Sequence, residues 1–527
     1  MFPSRRTILT RSLAVPLIAA GVASLPTQSA RAADTSTRTL TNGDFEADGT
    51  GTATPAGWST NNAAGRSNAS YTEAGGHSGS YRLSHYSSSA YKAETYQHLS
   101  GLANGNYTLT AWVRSSGGQN SAYLALKTGH TEQRTDLPPT PNGAWIRLVT
   151  SVKVTNHRCT VSIVSDANAG NWINVDDVTL IPGSTGLAIK GADVSTLKKG
   201  EDYGAVYRYS DGREGDALEI LHASGMNYAR LKVWVDPVDG YNNKARLLTM
   251  AKRVKRLGMG LLIDFHYSDA WADPGKQNKP AAWASDSFAQ LKADVYNHTY
   301  DVLHALKAQG TKADMVQIGN EINGGILWPD GRWDNWPGLA ALLKSGADAA
   351  KAVSRSTQVV LHLAQGGDDS GARWFFDNVV SYGVPFDIIG LSYYGYWHGP
   401  LNDLQTTLDD VASRYSKPVF VAETAYAFTL DNDDALENNI ATSSQLVAGY
   451  PATPAGQAAN LRDIMNVIEA VPDGRGLGLF YWEPTWTAVT GNGWDPADPS
   501  SGDAWENQAL FGYDDKALPA MRWFSHR

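Results

Sequence analysis

The chain has 527 residues, 42% of them hydrophobic and 18% charged, with a formal net charge of −9. A mainly disordered chain is excluded, because enough apolar side chains are present to bury a core. The negative balance argues against a nucleic-acid partner, whose phosphates need a positive footprint, and the single cysteine rules out intrachain disulfides and cysteine-rich metal sites. That residue, Cys159, reads as a buried, unreactive thiol. Aromatic usage is skewed, with 17 Trp and 24 Tyr against 12 Phe. Trp and Tyr couple a broad apolar face to a polar handle, as sugar-binding surfaces do; large β-rich proteins also use many aromatics.

In chain order, Ser4-Arg5-Arg6-Thr7-Ile8-Leu9 precedes an apolar run from Leu13 to Leu25, and Ala30-Arg31-Ala32 supplies the small residues of a cleavage site. The run is shorter than the roughly 20 residues that span a bilayer. The paired arginines resemble a twin-arginine export signal, with an ordinary secretory signal as the alternative. Residues 1–32 are therefore expected to be a removed leader. The mature protein should begin near Ala33, secreted, extracellular, free of membrane and monomeric.

From 34 to 182 the chain is rich in Ser, Thr, Gly and Asn, and short alternating segments such as Tyr107–Val113, Trp145–Val152, Thr160–Val164 and Ile173–Ile181 lie between turn residues. This texture predicts an all-β jelly-roll sandwich, and Pro182-Gly-Ser-Thr-Gly186 reads as a short linker. From 187 to 527 strand-like runs alternate with helical ones. The runs begin at Ala188, Tyr228, Gly260, Met315, Gln358, Phe386, Pro418 and Gly476. Between the third and fourth, Phe288, Leu291, Val295, Val302 and Leu306 mark one helix face, and Gly310 stands where a C-terminal cap belongs. Eight such units predict an α/β fold, a (β/α)8 TIM barrel. A doubly wound sheet is the alternative, but no Gly-rich phosphate loop follows the first strand.

Such barrels build their sites at the C-terminal ends of the strands. Strand 4 runs into Gly319-Asn320-Glu321 and strand 7 into Ala422-Glu423, so two glutamates emerge at one mouth. Glycosidic hydrolysis needs two carboxyls flanking the bond, and a separation of about 5–5.5 Å gives retention of configuration. Asp264 and His266 share one strand at metal-ligand spacing, but no paired histidines recur to complete a metallohydrolase site.

The two glutamates, with Asn320 before the first, resemble the retaining (β/α)8 glycosidases. Arg230-Leu-Lys-Val-Trp-Val-Asp-Pro237, Asp264-Phe-His-Tyr-Ser-Asp-Ala-Trp-Ala-Asp-Pro-Gly275, Ser392-Tyr-Tyr-Gly-Tyr-Trp-His398 and Asn507-Gln-Ala-Leu-Phe511 resemble the arabinogalactan endo-β-1,4-galactanases, glycoside hydrolase family 53. The resemblance covers 187–527. It implies a catalyst that cuts inside β-1,4-galactan, the side chain of type I arabinogalactan in pectin, with no cofactor required for catalysis. It makes Glu321 the acid/base and Glu423 the nucleophile. Asn320 would bind the sugar 2-hydroxyl, Arg230 would orient Glu423, and His266 and Tyr393 would line the cleavage subsite. Trp482 would lie under that sugar, with Trp271, Trp397 and Trp486 serving more distant subsites. The same chemistry on mannan or cellulose is the alternative, and an inactive carbohydrate-binding protein is a third reading that the paired glutamates disfavour.

The resemblance also implies a structural calcium between the loops after strands 7 and 8, where Asp434, Asn438, Asp503 and Glu506 are the candidate ligands; a solvated acidic loop is the other reading. Asn42-Gly-Asp-Phe-Glu46 and Val175-Asp-Asp-Val-Thr-Leu180 resemble the two ends of jelly-roll carbohydrate-binding modules. In these, residues such as Glu46 and Asp177 share a calcium. A galactan-binding module similar to family 61 is implied, with a spacer domain as the alternative.

Overall fold

The computed structural model describes residues 40–62 and 68–525. The expected leader at 1–32 and the first residues of the sandwich lie outside the described residues. Two antiparallel sheets form the N-terminal part. One orders its strands Ser59–Asn62, Tyr91–Ser100, Arg158–Ala167, Ser121–Thr128 and Thr131–Asp136; the other orders Ser70–Ala74, Tyr81–Tyr86, Trp172–Pro182, Gly105–Ser115 and Ile146–Val154. Alternation decides which face is buried. Along Gly105–Ser115, Tyr107, Leu109, Ala111 and Val113 point inward and share a core with Leu124, Leu126, Val161 and Ile163 of the facing sheet. Cys159 is buried there, and burial pushes its thiol up to about 11.

Eight parallel strands close the barrel: β1 (Ile189–Asp193), β2 (Tyr228–Val233), β3 (Gly260–Phe265), β4 (Met315–Ile318), β5 (Gln358–Leu363), β6 (Ile388–Ser392), β7 (Val419–Thr424) and β8 (Gly476–Tyr481). Each is buried almost throughout, because helices cover the outside while side chains fill the inside. Ile189, Leu262, Met315, Val360, Ile388, Phe420 and Phe480 form an apolar plug in the interior. Above it the next inward residues are polar, and that layer carries the site. The helix Phe288–Ala308 shows how its sequence encodes it. Ser287 accepts from Gln290 N at the start, Leu291, Val295, Val302 and Leu306 are buried, and Gly310 adopts φ +85° just past the end.

The linker does not leave the sandwich free. Arg147 donates to Asp409 Oδ2 (2.7 Å) and to the carbonyl of Ala470 (2.7 and 3.1 Å). The buried Gln405 side chain pairs with both backbone groups of Arg147, at 2.8 and 2.9 Å. Arg462 pairs with Asp136, and Thr185 in the linker donates to Glu469 Oε1 at 2.7 Å. The second sheet therefore docks on the helices Leu401–Arg414 and Pro454–Glu469 through directional bonds. Among the described residues no helix is long and apolar enough to cross a membrane.

Candidate active site

At the mouth of the barrel Arg230, 1% exposed, uses all five of its N–H donors. Nε donates to Gln317 Oε1 (2.7 Å), Nη1 to Asp193 Oδ2 (2.7 Å) and Glu423 Oε1 (2.8 Å), and Nη2 to Asp264 Oδ2 (2.9 Å) and Asn320 Oδ1 (2.8 Å). Burial alone would lower its proton affinity, but Asp264, Glu423 and Asp193 outweigh that and raise it. Burial likewise works against an ionised Asp264, yet Arg230 and His266 hold its carboxyl down at about 2.

Two local irregularities deliver the glutamates. In β7, Phe420 and Ala422 face the interior, so strict alternation would turn Glu423 outward. The register of β6 with β7 slips by one residue between Leu391↔Val421 and Ser392↔Glu423. This bulge re-aims Glu423 into the barrel mouth. After β4, Gly319 has φ +92°, where a Cβ would lie 2.4 Å from Ile322, and Glu321 itself has φ +47°. A non-glycine residue held there is strained, and such strain concentrates at functional sites.

Both carboxyls line one cleft of about 770 Å³. Burial raises both above the usual carboxylate range; Glu321 adds to the rise at Glu423, and Asp273 and Asp264 add to the rise at Glu321. Their partners differ, however. Arg230 touches Glu423, and the Tyr394 hydroxyl donates to Glu423 Oε2 at 3.1 Å. Glu321 receives a hydroxyl bond from Ser392 and feels the Arg230 charge without a direct bond to it. Charge-assisted bonds favour the ionised form, so these contacts favour a negative charge on Glu423 and a proton on Glu321, against the burial that raises both. His362, neutral because burial and Arg230 disfavour its charged form, accepts from Gln317 at Nδ1 (2.9 Å) and meets Ser392 Oγ at Nε2 (2.8 Å). It thereby orients the hydroxyl beside Glu321.

Asn320 accepts from Arg230 and gives one amide hydrogen to Ala272 O (2.8 Å); it lines the cleft, with a second amide hydrogen left to donate. His266 also lines the cleft, but its polar atoms are engaged. Nδ1 accepts from Trp234 Nε1 and Ala272 N, both at 3.2 Å, and Nε2 meets Asp264 at 2.9 Å. It braces the wall rather than offering a free ligand. Tyr393 corrects the sequence reading. Its hydroxyl turns away to Gly399 O (2.7 Å), and its neighbour Tyr394 lines the cleft. Alternation from the inward Ser392 already selects Tyr394, a signal present in the sequence and missed. Trp482, Trp271, Trp397 and Trp486 all line the cleft, joined by Trp494 and Trp505, which sit in a loop too irregular for periodicity to place.

The acidic loops give a graded fit to a calcium ion. Asn438 Oδ1, Asp503 Oδ2 and Glu506 Oε2 are buried without a hydrogen-bond partner, an oxygen set that suits calcium. Burial raises both Asp503 and Glu506, and their acidic neighbours add to it. Asp434 instead uses its two oxygens on the backbone N–H groups of Leu436 and Asp503, both at 2.7 Å. Among the described residues no three His, Cys, Asp or Glu side chains converge to hold a metal, so any cation here depends on Asn438 as well. In the sandwich, a bulge at Asp176/Thr179 and φ +49° at Asp177 exchange the two aspartates. Asp177 faces His77 and Ser78, whereas Asp176 is fully buried. A Cβ on Gly76 would meet Ser78 O, Tyr81 O and Asp176 Oδ2 at 2.3, 2.4 and 2.8 Å, so these three oxygens converge. Asp176, not Asp177, is the inward carboxylate, and burial pushes it up to about 7.

The profile of glycosyl hydrolase family 53 matches residues 189–524. The endo-beta-1,4-galactanase of Bacillus subtilis is 35% identical over 374 residues, covering 64% of this chain and 85% of its own. A probable arabinogalactan endo-beta-1,4-galactanase A of Aspergillus terreus is 39% identical over 324 residues, covering 60% and 90%. The GH53 catalytic domain of Ignisphaera aggregans superposes with a TM-score of 0.62 at 40% identity, covering 65% of this chain and 99% of that one.

The unequal contacts of the two carboxyls favour ionisation of Glu423 over Glu321, an asymmetry that suits paired nucleophilic and acid work. Tyr394→Phe removes a donor that favours ionised Glu423, so Glu423 binds its proton more tightly. The acidic limb of the pH profile of kcat/KM should move to higher pH, with the alkaline limb, set by Glu321, nearly in place. The value at the optimum should fall roughly tenfold. An unmoved acidic limb would assign the ionised role elsewhere.

Proposed function

Because the chain belongs to glycosyl hydrolase family 53, we propose that this glycoside hydrolase is secreted and cuts internal β-1,4-galactosidic bonds of galactan and type I arabinogalactan, with retention of configuration. The observation that carries the reading is the asymmetry between its two buried glutamates. Ionised Glu423 attacks the anomeric carbon while Glu321 gives its proton to the departing oxygen. Glu321 then takes a proton from the water that releases the sugar. Asn320 uses its spare amide hydrogen on the 2-hydroxyl, and Trp482 supports the ring above it. The relatives named as galactanases support galactan over mannan or cellulose. Enzyme recovered from culture medium, with its N-terminus near Ala33, should release reducing sugar from galactan far faster than from mannan or carboxymethylcellulose.

The two carboxyl roles separate by substitution. Glu423→Ala should be nearly inactive, and azide should restore turnover with inverted product. Glu321→Ala should lose about 10²–10⁴-fold on natural linkages but much less on activated aryl glycosides, which need no proton donor. Equal losses on both substrate types would overturn the assignment.

A structural calcium held by Asn438, Asp503 and Glu506 fits the three orphaned oxygens, with Asp434 bracing the loop. Chelation should lower the melting temperature by removing a ligand of the native state. Asp503→Asn should weaken that response, which distinguishes this site from one in the sandwich. No response of the Asp503→Asn difference to chelator would dismiss the loop site.

The sandwich serves as the galactan-binding module. A groove of about 520 Å³ on the outer face of its first sheet presents Tyr96, His98 and Tyr123 among Glu94, Lys127 and Arg134. Arg134 lies 4.3 Å over the Tyr123 ring. Aromatic faces edged by charged donors and acceptors match pyranose rings. Migration in a galactan-containing gel should be retarded, and Tyr96→Ala with Tyr123→Ala should relieve part of the retardation. Equal migration of both forms would leave a spacer role.

A further inference from the structure

Lys232 lies two residues after Arg230 on β2, so alternation sends it into the same interior. It is 3% exposed, and its Nζ makes one hydrogen bond, 3.0 Å to Glu483 Oε1. The Trp271 ring centroid lies 3.9 Å from Nζ. Glu483 is held in turn. Its Oε2 accepts from Thr196 N (3.1 Å) and Thr196 Oγ1 (2.6 Å), and its backbone adopts φ +46° directly after Trp482. An ammonium has three N–H groups. One reaches Glu483 and one is met by the indole face, which attracts cations. That leaves a donor for the cleft, which Lys232 lines with Trp271, Trp482 and Trp486.

We propose that Lys232 donates a hydrogen bond to a hydroxyl of the sugar unit next to the one over Trp482, in a subsite walled by Trp271 and Trp486. Glu483 is the positioning residue, fixing the ammonium through an ion pair that Thr196 anchors. This rests on the glycan-cleaving reading. A buried donor without an acceptor is costly, and a bound sugar hydroxyl supplies the acceptor. The strained backbone at Glu483 places its carboxylate beside the platform tryptophan, so the subsite and the cleavage position are built from adjacent residues.

The test uses the full chain, Lys232→Met, the charge-neutral double variant Lys232→Met with Glu483→Gln, and Lys232→Arg. Both Met variants should lose about 10–100-fold in kcat/KM on galactopentaose, mostly through KM, the expected size for a lost bond to a charged donor. The bond cut in end-labelled galactopentaose should also shift, because one subsite has weakened against the others. Lys232→Arg should restore part of both. An unchanged product pattern in a folded double variant overturns the proposal. So does a loss wholly in kcat, or loss of the melting transition in both Met variants, which would make the pair structural. A wild-type chain inactive on galactan would instead remove the functional reading beneath it.

Discussion

The Arg230 guanidinium brings a positive charge into a water-poor barrel mouth and spends every donor there, on three carboxylates and two amides contributed by four strands and their ends. Burying an ion is expensive unless geometry and pairing are complete, and here they are. Removing the guanidinium would leave Asp193, Asp264 and Glu423 crowded without compensation. Breaking a buried pair typically costs about 3–5 kcal/mol. The charge state of Glu423, the orientation of Asn320 and the hold on Asp264 all follow from this one group.

Chemistry at the site depends on breaking symmetry between two similar carboxyls. Burial and neighbouring carboxylates raise both, which by itself would leave the proton undecided. Contact decides it. Arg230 and Tyr394 reach Glu423, while Glu321 meets a hydroxyl whose orientation His362 sets. The bulge in β7 and the left-handed residue after β4 are the backbone departures that bring both carboxyls into one cleft. Each breaks the alternation that governs the rest of the barrel.

The sandwich reaches the barrel through bonds to helices far in sequence. Arg147 spans from the second sheet to Asp409 and Ala470, so the groove on the other sheet is held in a fixed orientation rather than swinging on its linker. Under the proposed binding role, a polymer held there would raise the local concentration of cleavable chain.

What the sequence determined by itself was whatever local periodicity and strand-end position encode. Alternating runs between turn residues mark the sandwich strands, and eight β-then-α units mark the barrel. The rule that barrel sites gather at strand ends singles out Glu321 and Glu423, while Arg230 and Asn320 enter through the family resemblance. Tertiary structure decided what depends on which side chains meet. Tyr394 rather than Tyr393 lines the cleft, and Asp176 rather than Asp177 turns inward, because a one-residue change of facing exchanges neighbours, and in the sandwich a bulge supplies that change. His266 spends its nitrogens on the protein, since Trp234 and Ala272 reach it only after folding. Lys232, Glu483 and Thr196 come from three separate barrel units, and no spacing along the chain reveals their ion pair. The unequal contacts of Glu321 and Glu423 likewise exist only in the folded barrel. A carboxyl's affinity for protons follows from the charges and donors around it, and these are assembled only when the barrel closes.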